Sequence, residues 1–371
     1  MPLADFVIDP ADPFAAVTHA APYDYYRRLA DGPPLRFDAA LDCWLATGAA
    51  GVLAVLAHPA CRVRPTGQPV PDTLAGTPCG AIFAELVRMN DGERHAVPKQ
   101  VLARALGQVD LARLQERAMH LAGDRMPGDA VQLNDAIFQL PLFAMADLLG
   151  FAPAQWPSLA AWTRDFVACL SPLSNGEQLA GAQVAADALL QAFAALLREG
   201  DVRPGSLLAS IVTETDAMGS GLLANLVGLL SQTCDATAGL LGNAIVTLRA
   251  QPDLLPSLRA APQRWPALLR EVSQRDPAIH NTRRYTADAV EVHGVRVPAG
   301  QMIVVVLASA CDAELGFGHG RHGCPGQSIA HTIATACLQA WVDALQRMPL
   351  AWRYLPSLNA RIPVFSPGEM K

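Results

Sequence analysis

The chain has 371 residues, of which 51% are hydrophobic and 17% are charged, and its formal net charge is −6. This composition excludes a disordered chain, and the absence of any Lys/Arg run argues against a nucleic-acid or anionic-membrane partner. A chain of this length buries a core large enough to enclose a cofactor.

The beginning of the chain and its cysteines bear on where the protein works. Residues 1–14, MPLADFVIDPADPF, carry acids where a secretory signal needs a basic region and an apolar stretch. The longest apolar runs, such as residues 302–311, are too short to cross a bilayer. The eight cysteines are scattered without a CxxC pair, which favours a reducing compartment. The sequence therefore predicts a cytoplasmic protein with no membrane partner.

Most of the chain has helical periodicity. Ala and Leu dominate, and apolar residues recur at three- and four-residue spacing. The predicted helices include residues 23–29, 51–56, 98–106, 178–197, 222–248 and 327–348. Gly150, Pro204-Gly205 and Gln251-Pro252 punctuate them, as expected of turn residues.

Strand signals are few. Residues 43–47 are a short candidate, and in residues 290–307 alternating valines surround Gly294 and Pro298-Ala299-Gly300, which predicts a small, hairpin-rich sheet. No repeat or long linker divides the chain. The prediction is a mainly α fold with a small β portion, organised as one domain over residues 1–371.

A glycine-rich loop precedes the last predicted helix. Residues 316–330 read GFGHGRHGCPGQSIA, with several glycines close to Cys324. Glycine permits positive φ and lets the backbone approach a flat, bulky group. A helix N-terminus favours negative charge and lowers the pKa of a thiol. The loop is therefore suited to hold Cys324 as a thiolate, which is one of the axial ligands of haem iron.

Two other interpretations of this loop stay open. In the first interpretation, Cys324 is a small buried residue before a helix and has no chemical role. In the second, His319, His322, Cys324 and Cys311 bind zinc, although the H-x-x-H-x-C spacing is not that of the usual zinc fingers.

The loop resembles a known family. Phe317, Gly320, Cys324 and Gly326 match the pattern FxxGxxxCxG, which is similar to the haem-binding loop of the cytochrome P-450 family. The similarity extends along nearly the whole chain, including the N-terminal PYDYYRRLADGPP and the later VPAG. The resemblance implies the mainly α, triangular fold of that family, haem b as the cofactor and Cys324 as the proximal iron ligand.

The resemblance also implies contacts with the two propionates of haem. The HxxxR pair of the family corresponds to His95 and Lys99, so a point charge replaces the planar fork of an arginine. The arginine that follows the K helix of the family corresponds to Arg283, and His322 comes from the cysteine loop. Each alone would be an ordinary surface residue; together they are expected to bind the cofactor.

The predicted helix 222–248 is apolar nearly all round and is therefore expected to be buried. Its polar interruptions include Gln232, Thr233, Asp235 and Thr237. In the simplest interpretation these side chains bond back to their own helix or bind internal water.

The resemblance sharpens the prediction for this helix. The segment DATAGLLGNAI aligns without gaps to the oxygen-binding segment of the family, and Asp235 matches the acidic residue of that segment. Ala236 stands where the family has the hydroxyl that manages protons, and Gln232-Thr233 replace a small Ala-Gly pair. Non-standard proton delivery is therefore expected, through Asp235, Thr237, ordered water or the substrate.

Two family features are absent from the sequence. The ExxR ion pair is expected in LLREVSQRDP, where Glu271 is followed by Gln274 instead of arginine. The meander before the cysteine loop is deleted, since residues 309–315 run almost directly into Phe317. The two losses fit each other, because an arginine without the rest of its buried network is costly. The deletion is expected to expose the face on which the family docks its electron donor.

Three functions follow from these residues and this resemblance. The first is oxidative tailoring of a small organic metabolite in bacterial specialised metabolism, with electrons from a ferredoxin or flavoprotein reductase. The second is a haem-thiolate enzyme that does not activate oxygen: a dehydratase, an isomerase, or an enzyme that uses peroxide or a nitrogen substrate. The third is a non-catalytic binding protein, against which the intact cysteine loop argues.

Overall fold

The computed structural model describes residues 9–198, 202–310 and 313–368. The α-helices, in chain order, are α1 (Ala15–Thr18), α2 (Tyr23–Ala30), α3 (Gly48–Ala57), α4 (Pro78–Glu85), α5 (Glu93–Gly107), α6 (Leu111–Asp124), α7 (Ala130–Leu149), α8 (Trp156–Val167), α9 (Gly176–Arg198), α10 (Leu207–Val212), α11 (Thr215–Met218), α12 (Leu222–Ala250), α13 (Leu254–Ala260), α14 (Trp265–Arg275) and α15 (Gln327–Arg347). The strands are β1 (Leu35–Asp38), β2 (Cys43–Ala46), β3 (Cys61–Arg62), β4 (Thr282–Thr286), β5 (Val290–Val292), β6 (Val295–Val297), β7 (Met302–Val305), β8 (Leu350–Tyr354) and β9 (Pro363–Pro367).

Local sequence signals set the helix ends. The Asp110 side chain accepts hydrogen bonds from the first amides of α6, and Asp129 does the same for α7. Gly150 ends α7 at φ 103°, a conformation that favours glycine. The six helices predicted from periodicity are confirmed, most of them extending by a few residues at one or both ends.

Helix α12 runs through the middle of the helical layer. It packs against α4, α7, α8, α9, α14 and α15. Most of its side chains are buried, as its apolar composition predicts. Polar side chains on α12 therefore either bond to protein or face an internal space.

The main sheet packs on α3 and shares a hydrophobic cluster with it. Five strands pair in the order β1-β2-β7-β4-β3, with β2 and β7 parallel and the other pairs antiparallel. β5 and β6 form a hairpin whose turn has φ of 48° at His293 and 75° at Gly294. The predicted strands at 43–47 and 290–307 are confirmed. The sequence reasoning missed β1, β3, β4 and the C-terminal β8–β9 hairpin.

Helix α9 qualifies the expectation about membranes. It is long and apolar enough to cross a bilayer by length and composition, and no other helix of the described ranges is. Ala182, Leu189 and Phe193 are buried, and the helix packs on α4, α8 and α12. A core helix passes the same test, so the absence of a membrane partner remains a prediction.

Candidate haem-binding site

The cysteine loop is shaped by its backbone. Gly318 and Gly320 have φ of 74° and 61°, where a side chain would be strained. The Cys324 amide donates a 2.8 Å hydrogen bond to the Phe317 carbonyl and closes the loop. The loop ends at Gly326, the residue before α15. Two glycines and one cross-loop hydrogen bond thus place Cys324 next to the helix N-terminus, as predicted.

The Cys324 side chain is exposed, yet burial is the largest influence on its pKa and raises it. A thiol at the bottom of a concave surface is accessible to solvent and is still surrounded by enough protein for desolvation to raise its pKa. A hydrogen bond from the Gly326 amide and the charge of Lys99 act to lower the pKa. The expectation that the loop alone lowers the pKa is wrong, because desolvation outweighs these two groups. A bound metal cation would reverse the balance, since a coordinating thiol loses its proton.

The alternative interpretations of the loop receive no support. Cys324 is accessible rather than buried, which argues against a purely structural cysteine. No group of three or more His, Cys, Asp or Glu side chains that could hold a metal ion occurs within residues 9–198, 202–310 and 313–368. The fourth proposed zinc ligand, Cys311, lies outside the described residues. His322 faces Asp91 instead.

Lys99 supports the loop from α5. Its Nζ donates a 2.5 Å hydrogen bond to the carbonyl of Gly323, the residue before Cys324. The Lys99 ammonium therefore holds the cysteine loop, whereas the sequence analysis predicted a contact between Lys99 and a haem propionate. Substitution of lysine for the arginine fork of the family fits this different use, because a carbonyl needs only one donor.

Two histidine rings contact each other beside a carboxylate. The ring centroids of His95 and His322 are 4.1 Å apart, and His322 Nε2 donates to Asp91 Oδ1 at 3.2 Å. Burial and then the charges of His322 and Lys99 lower the pKa of His95 to about 4. His95 is therefore neutral at pH 7 and has an N–H to donate. The predicted proximity of His95 and His322 agrees with this geometry.

The arginine beside this cluster is Arg284, whereas the sequence predicted its neighbour Arg283 as the propionate contact. Successive residues of β4 point to opposite faces. The Arg283 guanidinium lies 5.8 Å from the centre of the Phe14 ring, on the far side of the sheet. Arg284 is 5% exposed, acts electrostatically on His322 and Asp91, and has no hydrogen-bond partner for its Nε among the described residues.

These residues fit haem. Haem presents an iron for a thiolate on its face and two carboxylates at its edge. The chain offers an accessible thiol in Cys324, an unpaired buried guanidinium N–H in Arg284 and the neighbouring pair of His95 and His322. A buried donor left without a partner is costly, and a propionate oxygen would satisfy it.

The family resemblance implies that α12 forms the wall opposite the cysteine loop. The Gln232 side chain is accessible, and its Nε2 donates to the Gly228 carbonyl at 3.1 Å. The Thr233 hydroxyl donates to the Leu229 carbonyl at 2.8 Å. Thr237 is 2% exposed. The amide and the Thr233 hydroxyl thus bond back to their own helix, as the simplest interpretation of this helix predicted.

Asp235 is the titratable group of this wall. Burial raises the pKa of its carboxyl, while the Cys234 side chain, Arg88 and Arg164 act to lower it. Its side chain therefore holds a proton more readily than an exposed aspartate. Asp235 is close enough to both arginines to feel their charge, although no ion pair within 4.0 Å joins them in the described part of the chain.

The region of the ExxR pair also differs from expectation. Glu271 is exposed and forms an ion pair with Arg275 Nε at 3.3 Å on the surface of α14. It is therefore not part of a buried network. Gly316, at the start of the cysteine loop, packs directly onto α14, since a Cβ on it would lie 2.4 Å from the Ser273 carbonyl oxygen.

Three residues that the sequence reasoning passed over belong to the site. They are Asp91, Arg284 and Arg88. Arg88 and Asp91 come shortly before His95 in the sequence, and Arg284 follows Arg283 on β4. Strand alternation could have separated the two arginines had β4 been recognised. Nothing in the sequence singled out Arg88.

The comparisons with known proteins agree with this geometry. No protein-family model matches the chain. Cytochrome P450 monooxygenase PikC of Streptomyces venezuelae is 28% identical, over 87% of this chain and 84% of that protein. Cytochrome P450 107B1 of Saccharopolyspora erythraea is 24% identical over 62% of this chain, and the match spans 64% of that relative's length.

Solved structures show the fold. P450BioI, in complex with an acyl carrier protein ligated to hexadec-9Z-enoic acid, has a TM-score of 0.80 at 19% identity and covers 92% of this chain and 96% of its own. CalO2 has a TM-score of 0.78 at 24% identity, covering 98% and 100%. The predicted mainly α fold is confirmed. Together with the curated relatives, it supports the predicted resemblance to the cytochrome P450 family, whose members bind haem b.

Proposed function

We propose that this protein is a haem-thiolate monooxygenase that tailors a small organic metabolite. The observation that carries the proposal is the accessible Cys324 thiol, held by a closed glycine loop at the start of α15. A non-catalytic scaffold has no use for a thiol that costs desolvation and backbone strain. The names of the relatives, PikC among them, support the same reaction class.

Each residue of the site has a distinct task in this proposal. Cys324 binds the iron, and Lys99 holds the backbone next to it. Arg284, His95 and His322 bind the propionates and fix the plane of the cofactor. Bound through a thiolate, haem would supply the chemistry that cleaves an O–O bond. In this reaction class one oxygen atom would be incorporated into the substrate, and the other would be reduced to water by two electrons and two protons.

The chain's own contribution to proton supply is reduced. Ala236 has no hydroxyl, and the Thr233 hydroxyl donates to a carbonyl. The remaining routes are water, a polar group of the substrate, the buried Thr237 and the Asp235 carboxyl. Asp235 is the better of the two side chains, because burial raises its pKa toward the working range of a proton donor.

The remaining partners follow from the family and the composition. We infer a small-molecule substrate and a ferredoxin or flavoprotein reductase as the electron donor. With no basic run in the sequence, nucleic acid is not expected to bind. A cytoplasmic location without a membrane partner is part of the same proposal.

A second function is favoured by α12. A helix without the usual hydroxyl, with the Gln232 amide bonded to its own backbone, suits a haem-thiolate enzyme that does not activate oxygen. Dehydration, isomerisation, and reactions of peroxide or of a nitrogen substrate need less proton delivery from this helix.

Oxygen uptake separates the two functions. Purified full-length protein with bound haem is supplied with NADPH, a ferredoxin and its reductase, and a panel of small organic acids and amides. Reductant-dependent oxygen uptake that rises with one of these compounds, with an oxygenated product, supports the monooxygenase. Turnover with peroxide, or without any reductant, at undiminished rate in the absence of oxygen would establish the second function instead.

A further inference from the structure

Arg88 is an accessible arginine that forms no ion pair with another described residue. It lies in a short 3-10 turn, Val87–Met89, between α4 and α5. The side chain is accessible, and yet burial is the largest cause that lowers its pKa. A guanidinium meets both conditions where it lines a concave space inside the fold.

The backbone that carries Arg88 is fixed from α12. The Val87 amide donates a 2.7 Å hydrogen bond to Asn225 Oδ1. Asn225 is 2% exposed, and its Nδ2 donates to the carbonyls of Glu85 and Gly221 at 3.0 and 2.9 Å. One buried amide of α12 thus holds the chain just before Arg88.

A second buried amide holds the chain after it. Asn90 Nδ2 donates to the carbonyls of Ala84 and Leu86, at 2.9 and 2.8 Å. Asn90 Oδ1 accepts a 2.6 Å hydrogen bond from Arg64. Arg88 therefore stands on a rigid segment, and a site built on such a segment loses little entropy when a ligand binds.

The charge of Arg88 is only weakly balanced. The groups that act on it electrostatically are Asp235 and the Cys169 thiol. Within the described residues no carboxylate lies within 4.0 Å of it and no hydrogen bond reaches its guanidinium, whereas nearby Arg94 pairs with Glu85 at 2.9 Å. The N–H donors of the Arg88 guanidinium are thus available to a ligand.

This space adjoins α12 close to Gln232. Leu86, two residues before Arg88, lies over Gly228, where an added Cβ would be 2.9 Å from Leu86 Cδ2 and 3.4 Å from Gln232 Nε2. Gln232 and Asp235 are three residues apart on the helix and so share a face. Arg88 and the accessible Gln232 amide therefore border one cleft.

We propose that Arg88 binds a carboxylate of the substrate, so that this enzyme acts on organic acids. The inference rests on the proposed function, because it assigns the substrate class of that same cleft. A guanidinium binds a carboxylate through two parallel hydrogen bonds. A dianionic phosphate fits less well, because the Asp235 carboxyl stands close by and repels a second negative charge.

Calorimetric titration of the full-length haem-loaded protein tests this substrate class. The probes are dodecanoate, phenylacetate and indole-3-acetate, each compared with its neutral primary amide. We expect at least one acid to bind the native protein about 10- to 100-fold more tightly than its amide, as loss of a charge-assisted pair predicts. Arg88→Gln removes the preference, and Arg88→Lys keeps part of it.

Two further variants serve as controls. Arg94→Gln removes an exposed arginine of α5 that already pairs with Glu85. It should keep the native preference, because its charge is balanced by that carboxylate. Asp235→Asn should keep or strengthen acid binding, because it removes a negative charge close to Arg88.

Several results would overturn the inference. These are no acid bound by the native protein, equal affinity for acid and amide, an undiminished preference in Arg88→Gln with a native-like circular dichroism melt, or loss of the preference in Asp235→Asn. The same samples report on the proposed function separately. A thiolate-type spectrum without a preference for acids contradicts only this inference. A preference for acids without thiolate-bound haem contradicts only the proposed function.

Discussion

The two walls of the site are built by different parts of the chain. On the cysteine side, the backbone positions the functional group: glycines at positive φ, a cross-loop hydrogen bond and a lysine bonded to a carbonyl place Cys324. On the α12 side, the backbone is an ordinary helix, and only the side chains Gln232, Asp235 and Ala236 distinguish it.

This difference separates binding from chemistry. A loop defined by its backbone tolerates few changes, so it keeps a recognisable pattern and the ability to hold haem. A helix defined by its side chains can change its chemistry one residue at a time without loss of fold. The site therefore combines an ordinary cofactor-binding wall with an unusual reactive wall, and variants of each wall should fail in different ways.

The largest effect is expected at Cys324. Cys324→Ala should abolish the thiolate-type spectrum and most haem retention, because it removes the iron ligand while leaving the fold intact. Absorption spectra and haem content of the purified variant measure this. Cys311→Ala is the control and should match the native protein; loss of ligation in the control instead would move the ligand to Cys311.

A matched pair on β4 tests the cofactor edge. Arg284→Ala should raise the rate of haem loss about 10- to 100-fold, since a charge-assisted hydrogen bond contributes about 1.5–3 kcal/mol. Arg283→Ala should leave that rate unchanged, because Arg283 lies against Phe14. Transfer of haem to apomyoglobin measures both rates. The reverse ranking of the two variants would restore the original assignment of Arg283.

The pH dependence of the apoprotein tests the histidine pair. The pKa of His95 is lowered to about 4 in the folded chain, below the value of about 6.5 in an unfolded one. The unfolded state therefore binds the extra proton first, and stability is full above about pH 6.5 and falls as the pH drops toward 4. Urea unfolding should show a loss on the order of 1–3 kcal/mol across that window.

The variant His95→Gln should flatten this pH dependence, whereas the exposed His120→Gln should not. An equally steep loss of stability in His95→Gln would show that other groups carry it.

The smallest effect is expected on α12. Ala236→Thr should raise the product formed per reductant consumed by about 2- to 10-fold, a fraction of what positioned proton transfer typically supplies. Gln232→Ala should change substrate binding more than coupling, because an amide is a poor proton donor. Coupling is measured with the substrate that stimulates oxygen uptake. High coupling in the native protein that does not depend on polar substrate groups would contradict a deficit on this helix.

The sequence predicted the parts of the site that depend on local pattern. The cysteine loop, α12 and α15 were predicted because glycine spacing and apolar periodicity are local signals. The sequence selected Arg283, whereas Arg284 lies beside the histidine pair, because a shift of one residue in a strand reverses the face. β4 has no clear alternation of its own and is defined by pairing with β7 and with β3, which is distant in sequence.

Long-range packing also decided the other outcomes. Lys99 reaches Gly323 from more than two hundred positions away, so its partner could not be predicted from local sequence. Glu271 faces the surface of α14, which periodicity alone did not resolve. Arg88 carries no local signal either, because its position depends on Asn225 and Asn90, which fix its turn against α12.

The carbon monoxide difference spectrum of the reduced, haem-loaded protein tests the central claim most directly. Thiolate ligation by Cys324 predicts the long-wavelength Soret band that distinguishes haem-thiolate proteins, present in the native chain and absent in Cys324→Ala. A band typical of imidazole ligation in freshly purified native protein, or failure to incorporate haem, would contradict the account.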